Sequence, residues 1–162
     1  MTDPVEFIDA IHKAEIRYLL IGRQAMIAHG IPVQTFDYDL YIDGDIENEK
    51  KFIEIAETFD LFPSKPLEKL HQCFMFKLEN DIVIDVFRCK NIINQEEAII
   101  SFEKLYERRE TIKDETGFVV NVPCIDDLIK LKKTDRYKDS VDVQYLEKFK
   151  EMQKNGMLKK EE

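Results

Sequence analysis

Four strand-length runs decide what this chain can fold into: RYLLIG (17–22), QTFDYDLYI (34–42), CFMFKL (73–78) and IVIDVF (82–87). Each is rich in β-branched and aromatic residues and bounded by polar or turn-forming ones, so each needs neighbouring strands to satisfy its backbone. Between them the apolar spacing turns helical. Asp3-Pro4 with Glu6 reads as a helix start, with a capping carboxylate and proline at the first helical position. Phe7, Ile8, Ile11 and Ala14 continue that helix to about residue 15. RQAMIAHG (23–30) suits two helical turns closed by Gly30. Asp45 caps a helix over Ile46–Phe59, with Phe52, Ile53, Ala56 and Phe59 on its inner face.

Glu79-Asn80-Asp81 makes a hairpin-type turn between the last two runs. QEEAIISFEKLYER (95–108) predicts a helix, and ETIKDETGFVVNV a hairpin turning at Asp114–Gly117. From Asp126 the chain reads as helical to its end, with a break near Tyr137–Asp139 and a frayed tail, GMLKKEE. Strands interleaved with helices and hairpins imply an α+β fold, a mixed sheet flanked by helices. No repeat or Pro/Gly linker divides it. The expectation is one domain over 1–162, with a core of about 4–123 and a C-terminal helical part of about 124–155 acting as a small cap.

Composition narrows the function classes. Apolar residues make up 44% and charged residues 35%, as in a folded soluble domain, and apolar runs of around five residues are far too short to cross a membrane. A net charge of −9 lacks the basic surface that strong non-specific nucleic-acid binding needs. The three cysteines, Cys73, Cys89 and Cys124, form no CxxC pair and share no ligand spacing with His12, His29 or His71. That argues against a zinc site or a disulfide framework, and a charged N-terminus with no signal peptide adds to the expectation of a cytoplasmic protein.

The chemistry resides in aspartates placed on strands. Alternate residues of a strand share a face, so Asp37 and Asp39 point the same way with Cα atoms roughly 6–7 Å apart. Phe36, Tyr38 and Leu40 then face the other side. Such a pair is either hydrated on a solvent-facing strand side or held together by a cation. Asp85, in the middle of IVIDVF, is costly if buried unpaired. It lies on an outer sheet face beside Arg88 or Lys77, or it joins Asp37 and Asp39 as a third oxygen ligand for a hard cation, Mg²⁺ before others. Asp37 and Asp39 could then bridge two metals. An EF-hand is excluded, because DYDLYIDGD carries Tyr41 and Ile42 where that loop needs an oxygen ligand and a glycine. Upstream, LLIGRQA is strand, glycine, helix start. It is either an ordinary glycine turn or a place where helix amides meet a phosphate.

These residues together resemble the nucleotidyltransferase superfamily, the polymerase-β-like fold. HGIPVQTFDYDLYI is similar to the His-Gly…Thr-x-Asp-x-Asp stretch of its small bacterial members, including those tied to abortive infection and toxin–antitoxin systems. DDLIKLKKTDRYKDSVDVQYL is similar to their C-terminal helix pair, and the matches span residues 17 to 146. The resemblance implies a metal-dependent transfer of a nucleotide from a nucleoside triphosphate to an acceptor hydroxyl. Asp37, Asp39 and Asp85 would be catalytic and would hold Mg²⁺ or Mn²⁺. Gly22 would bring helix amides to the phosphates, and Lys132 and Arg136, one helical turn apart, would contact phosphate or base. The acceptor, a protein, an RNA end or a small molecule, is left open. For an RNA, the cluster Lys130, Lys132, Lys133, Arg136 and Lys138 is the place where basic residues dominate.

Two departures mark this chain. Arg23 stands where the family has glycine or serine, either blocking the triphosphate or offering it a cation. Val33 and Gln34 stand where an arginine often precedes Thr-x-Asp-x-Asp. They leave open an alternative, a catalytically weak or inactive binding module of the same fold, part of a toxin–antitoxin-like pair. Arginine–aspartate and lysine–aspartate contacts on an ordinary charged helix face would equally account for Lys132 and Arg136. His29 reads as a cap or packed imidazole before a catalytic one.

Overall fold

A computed structural model describes residues 2–156. All of the predicted tail but Gly156 therefore lies outside the described residues. The elements run α1 (Pro4–Lys13), β1 (Tyr18–Ile21), α2 (Gly22–Ala28), β2 (Tyr38–Ile42), α3 (Ile46–Thr58), β3 (Phe62–Pro63), α4 (Leu67–Leu70), β4 (Met75–Glu79) and β5 (Val83–Phe87). They continue with β6 (Asn91–Ile93), β7 (Ile99–Ser101), α5 (Phe102–Glu107), β8 (Glu110–Lys113), β9 (Val119–Val122), α6 (Ile125–Lys132) and α7 (Tyr137–Lys154).

The capping chemistry read from the sequence is in place. The Asp3 side chain accepts from the Val5 N–H ahead of Pro4, and Asp45 accepts from Asn48. Five strands form a mixed sheet in the order β1-β2-β5-β4-β3. Here β2 and β5 run parallel, while β1–β2, β4–β5 and β3–β4 are antiparallel. Two separate hairpin ribbons, β6–β7 and β8–β9, lie outside it.

The two sheet faces are unequal. Tyr18, Leu20, Leu40, Ile42, Phe76, Leu78, Ile84 and Val86 enter the main core with Phe7 and Ile11 of α1, Phe52 and Ala56 of α3, and Leu128 and Leu146 of the C-terminal helices. The opposite face carries a smaller cluster, Leu19 and Tyr41 under Ile100, Phe102 and Leu105. That smaller cluster covers only part of its face, and the uncovered part holds the polar site.

Several boundaries differ from expectation, each for a local reason. Segment 95–108 is not one helix: Ile99–Ser101 pairs with β6, and Ser101 then caps α5 by accepting from the Lys104 N–H. Residues 34–37 stay outside β2, so Phe36 is almost fully exposed rather than facing a sheet side. Phe74 is likewise exposed, resting edge-on against Phe87, and not part of the core. The helix break falls at 133–136, where the Arg136 N–H and the Asp139 carboxylate both engage the Thr134 hydroxyl, before Tyr137 rather than after it. Lys132 and Arg136 therefore sit on two helix ends across a turn and not on one helical face.

Candidate active site

Strand register builds the site. Asp39 of β2 is directly opposite Asp85 of β5, and Asp85 is directly opposite Lys77 of β4. Facing residues on neighbouring strands share a sheet face, so Ile21, Asp39, Asp85 and Lys77 form one row across four strands. This is not a hydrated outer face: Tyr41, two residues along and on the same side as Asp39, is fully buried. Asp39 itself is partly buried, and Asp37 precedes the strand, exposed, its N–H donating to the Thr35 hydroxyl at 3.1 Å.

A pocket of about 170 Å³ gathers Arg23, Thr35, Asp37, Asp39, Asp85, Lys132, Arg136, Lys138 and Asp139. It thus unites residues from α2, the loop before β2, β2, β5 and the two C-terminal helices. All three predicted aspartates are there, as are Arg23, Lys132 and Arg136. A larger and mostly apolar cavity of about 550 Å³, lined by Ile8, Leu20, Ile27, Tyr38 and Phe118, opens on the other side of β2. It holds none of the three aspartates, and its size does not make it the reacting site.

Burial pushes the Asp39 carboxyl up from its ordinary value, and the charges of Asp85 and Asp37 push the same way, against Lys132 and Lys138. A carboxylate that is desolvated and beside two like charges is short of positive charge. The donor set is all oxygen, which fits a hard divalent cation. Among the described residues, however, no three acidic or ligating side chains are already drawn together around one point. Asp85 Oδ1 accepts from Lys77 Nζ at 2.7 Å.

Gly22 does not line the pocket but backs it. Its φ of +70° is one that L side chains rarely adopt, and a Cβ there would lie 2.9 Å from Asp39 Oδ2. Glycine is thus required twice, by backbone conformation and by the close approach of the carboxylate. Gly22→Ala is expected to lower stability by roughly 1–3 kcal/mol and to displace Asp39, read as a lower denaturant midpoint together with weakened Mn²⁺ binding. The helix that Gly22 opens has only seven residues.

Arg23 lines the pocket and reaches across it to α7. Its guanidinium grips Asp142 of α7, with Nη2 at 2.9 Å and Nε at 3.1 Å from Oδ1, and donates to the Gln34 carbonyl at 3.2 Å. Asp142 is fully buried and also takes Lys132 Nζ at 2.9 Å. Lys132 lies 3.4 Å from Asp139, which is buried as well and accepts from Thr134 at 2.6 Å. Two buried carboxylates thus hold the cations opposite the aspartate row. Arg136 is only loosely tied, 3.9 Å from Asp139, and among the described residues Lys138 has no ion-pair partner.

The wider basic cluster read from the sequence does not converge. Lys130 turns to Asp127 at 3.8 Å and Lys133 to Glu96 at 3.1 Å, leaving Lys132, Arg136 and Lys138 at the pocket. His29 is a packed imidazole whose Nε2 lies 2.8 Å from the Pro123 carbonyl oxygen, outside the site. Sequence reasoning passed over Asp142. Its signal is the three-residue step from Asp139 in KDSVD, which places both carboxylates on the inner side of α7.

No family model matches the sequence and no curated protein is similar to it. Among solved structures, the fold is similar to that of a Thermotoga maritima protein provisionally described as a nucleotidyltransferase. The TM-score is 0.58 at 15% sequence identity, over 95% of this chain and 94% of that one. The likeness, at that identity, is one of fold: a mixed sheet flanked by helices with C-terminal helices, the α+β architecture expected from the sequence. No helix among the described residues is long and apolar enough to cross a membrane.

Proposed function

We propose that this chain is a nucleotidyltransferase, moving a nucleotidyl group from a nucleoside triphosphate to an acceptor hydroxyl with the help of Mg²⁺ or Mn²⁺. The observation that carries the reading is the register of the parallel pair β2–β5, which sets Asp39 beside Asp85 on a half-buried face. Asp37 and a rim of cations line the same small pocket. The fold likeness to a protein described as a nucleotidyltransferase supports it.

Asp37, Asp39 and Asp85 would hold the divalent cation. When bound, that cation supplies neutralisation of the phosphate charge and lowers the pKa of the acceptor hydroxyl. The chain's own residues do the rest. Asp39 is oriented by its fit against Gly22. Arg136 and Lys138, the cations least committed to protein partners, offer charge to the phosphate oxygens. Lys132 is shared between Asp139 and Asp142, so it stands at the pocket in one place without needing to be ordered on binding. Arg23 braces α2 against α7 through Asp142. In this reading Arg23 replaces the family's small residue as a brace and is neither an obstacle nor the main phosphate ligand.

The finer assignment, to the small bacterial members of abortive-infection and toxin–antitoxin systems, rests on the sequence likeness over residues 17–146. Protein, RNA-end and small-molecule acceptors are told apart by one experiment. The purified chain is incubated with Mn²⁺, each α-labelled nucleoside triphosphate and fractionated cell extract. Label is expected in one acceptor class for one preferred nucleotide, and it should be lost with a chelator. Triphosphate binding without any transfer would identify the binding module instead, and neither binding nor transfer would end the nucleotide reading altogether.

A further inference from the structure

The aspartate row has a fourth member whose sign is opposite. Asp85 is flanked by Asp39 on one side and Lys77 on the other, all directly opposite across adjacent strands. Like charges placed directly opposite destabilise a sheet, and an opposite charge relieves them. Lys77 Nζ reaches Asp85 Oδ1 at 2.7 Å and makes no other ion pair among the described residues. The side chains are 43% and 33% exposed, so the pair is a weak one by surface standards and its ammonium has water to retreat into. By contrast the cations on the far side of the pocket, Arg23 and Lys132, are tied to a carboxylate that is fully buried. Of the cations that neutralise a carboxylate at 3 Å or closer here, Lys77 is therefore the one that can leave cheaply, and its carboxylate is Asp85.

We propose that Lys77 is the resident counter-ion of Asp85: it holds the carboxylate while no divalent cation is bound, gives it up when one binds, and so sets the cation affinity of the site. The idea rests on the nucleotidyltransferase reading for the identity of the cation, and on geometry for the rest. It is consistent with the three carboxylates not being drawn together around one point among the described residues, since Asp85 pairs with Lys77 of β4. Every divalent ion that enters has to displace an ammonium and then tolerate it nearby.

The test is direct Mn²⁺ binding, read from the electron paramagnetic resonance signal of the free ion, which requires neither nucleotide nor acceptor. Lys77→Met keeps the length of the stem and removes the charge. It is expected to tighten Mn²⁺ binding about tenfold, the order expected for removing one unit charge near a divalent ion. Lys77→Arg should stay within about twofold of the parent, since it restores the charge. In an Asp85→Asn background the gain from Lys77→Met should disappear, because the counter-ion acts through that carboxylate. A second readout guards against misfolding: with chelator present Lys77→Met should melt lower than the parent, and saturating Mn²⁺ should raise its melting temperature by more.

Unchanged or weaker Mn²⁺ affinity in Lys77→Met, with Mn²⁺ still bound by the parent, overturns the role of Lys77 and leaves the cation site standing. A gain that persists undiminished beside Asp85→Asn also overturns it. Absence of Mn²⁺ binding in parent and variant alike removes the cation site, and the counter-ion with it.

Discussion

Asp39→Asn is expected to abolish measurable transfer while leaving the cation-free protein at least as stable as the parent. The substitution keeps the shape of the side chain and removes the charge that would hold the cation. The loss of transfer should be at least about a hundredfold, the scale seen when one preorganised electrostatic group is removed. Stability moves the other way because of the sign of the pKa shift. Burial first, then the charges of Asp85 and Asp37, raise the Asp39 carboxyl above its ordinary 3.8. A carboxyl whose folded-state pKa is raised favours folding in its protonated form. That contribution is complete below 3.8 and is lost as pH rises through the higher folded value, so at neutral pH the ionised group is a cost. Asparagine never ionises and escapes it. The measurement is a pair of pH-dependent denaturation series in chelator, alongside transfer of label in Mn²⁺. A variant that is both inactive and clearly less stable at neutral pH would mean that Asp39 is a structural carboxylate. The expected outcome is a site that trades stability for function.

Asp142→Ala is expected to lower stability by roughly 3 kcal/mol. Asp142 is fully buried and joins three helices: Arg23 from the start of α2 and Lys132 from the end of α6 both close on it from α7. Removing it leaves two cations facing each other without their common partner, one of them with a side chain only 13% exposed. Burial alone would raise this carboxyl, but the hydrogen bonds from Arg23 and Lys132 outweigh it and hold the group below its ordinary 3.8. A lowered carboxyl stabilises the folded state above the unfolded value and loses that stabilisation as pH falls through the folded one. The parent's advantage over Asp142→Ala should therefore be full at neutral pH and shrink below about pH 4. Equal stability at neutral pH, or a difference that does not fall on acidification, would show that the pair is not what ties α2 to α7. Asp39 and Asp142 shift in opposite directions: at Asp39 like charges reinforce the effect of burial, and at Asp142 two cations outweigh it.

The sequence made much of this legible because local rules govern it. Asp3-Pro4 and Asp45 announce helix starts through caps that act within a few residues, and the hairpin at 110–122 carries its own turn. The β-prone runs identify the strands, and an aspartate inside each of two such runs marks Asp39 and Asp85 as residues needing an explanation. The error over 95–108 came from the same source: AIIS has helical neighbours, but its apolar residues find a strand partner in β6 and Ser101 prefers a cap to a helix interior. Phe36 and Phe74 fall just ahead of β2 and β4 and not within them; an aromatic side chain flanking a strand looks, in sequence, like one inside it.

Alone, then, the sequence determined the α+β class and the element order over most of the chain, and it singled out three aspartates that the fold brings to one pocket. These follow from periodicity and short-range capping, which need no knowledge of what lies across space. Only the tertiary structure decided how the charges pair. Parallel register sets Asp39 against Asp85, antiparallel register sets Lys77 against Asp85, and the packing of α7 draws Arg23 and Lys132 onto Asp142. Those partners are 46, 8, 119 and 10 residues apart in the chain. Coulomb interactions depend on distance in space, and for such pairs the chain's own order says nothing about it. Arg23, conspicuous in the sequence for being too large for its turn, proves to be a brace because of a carboxylate 119 residues away.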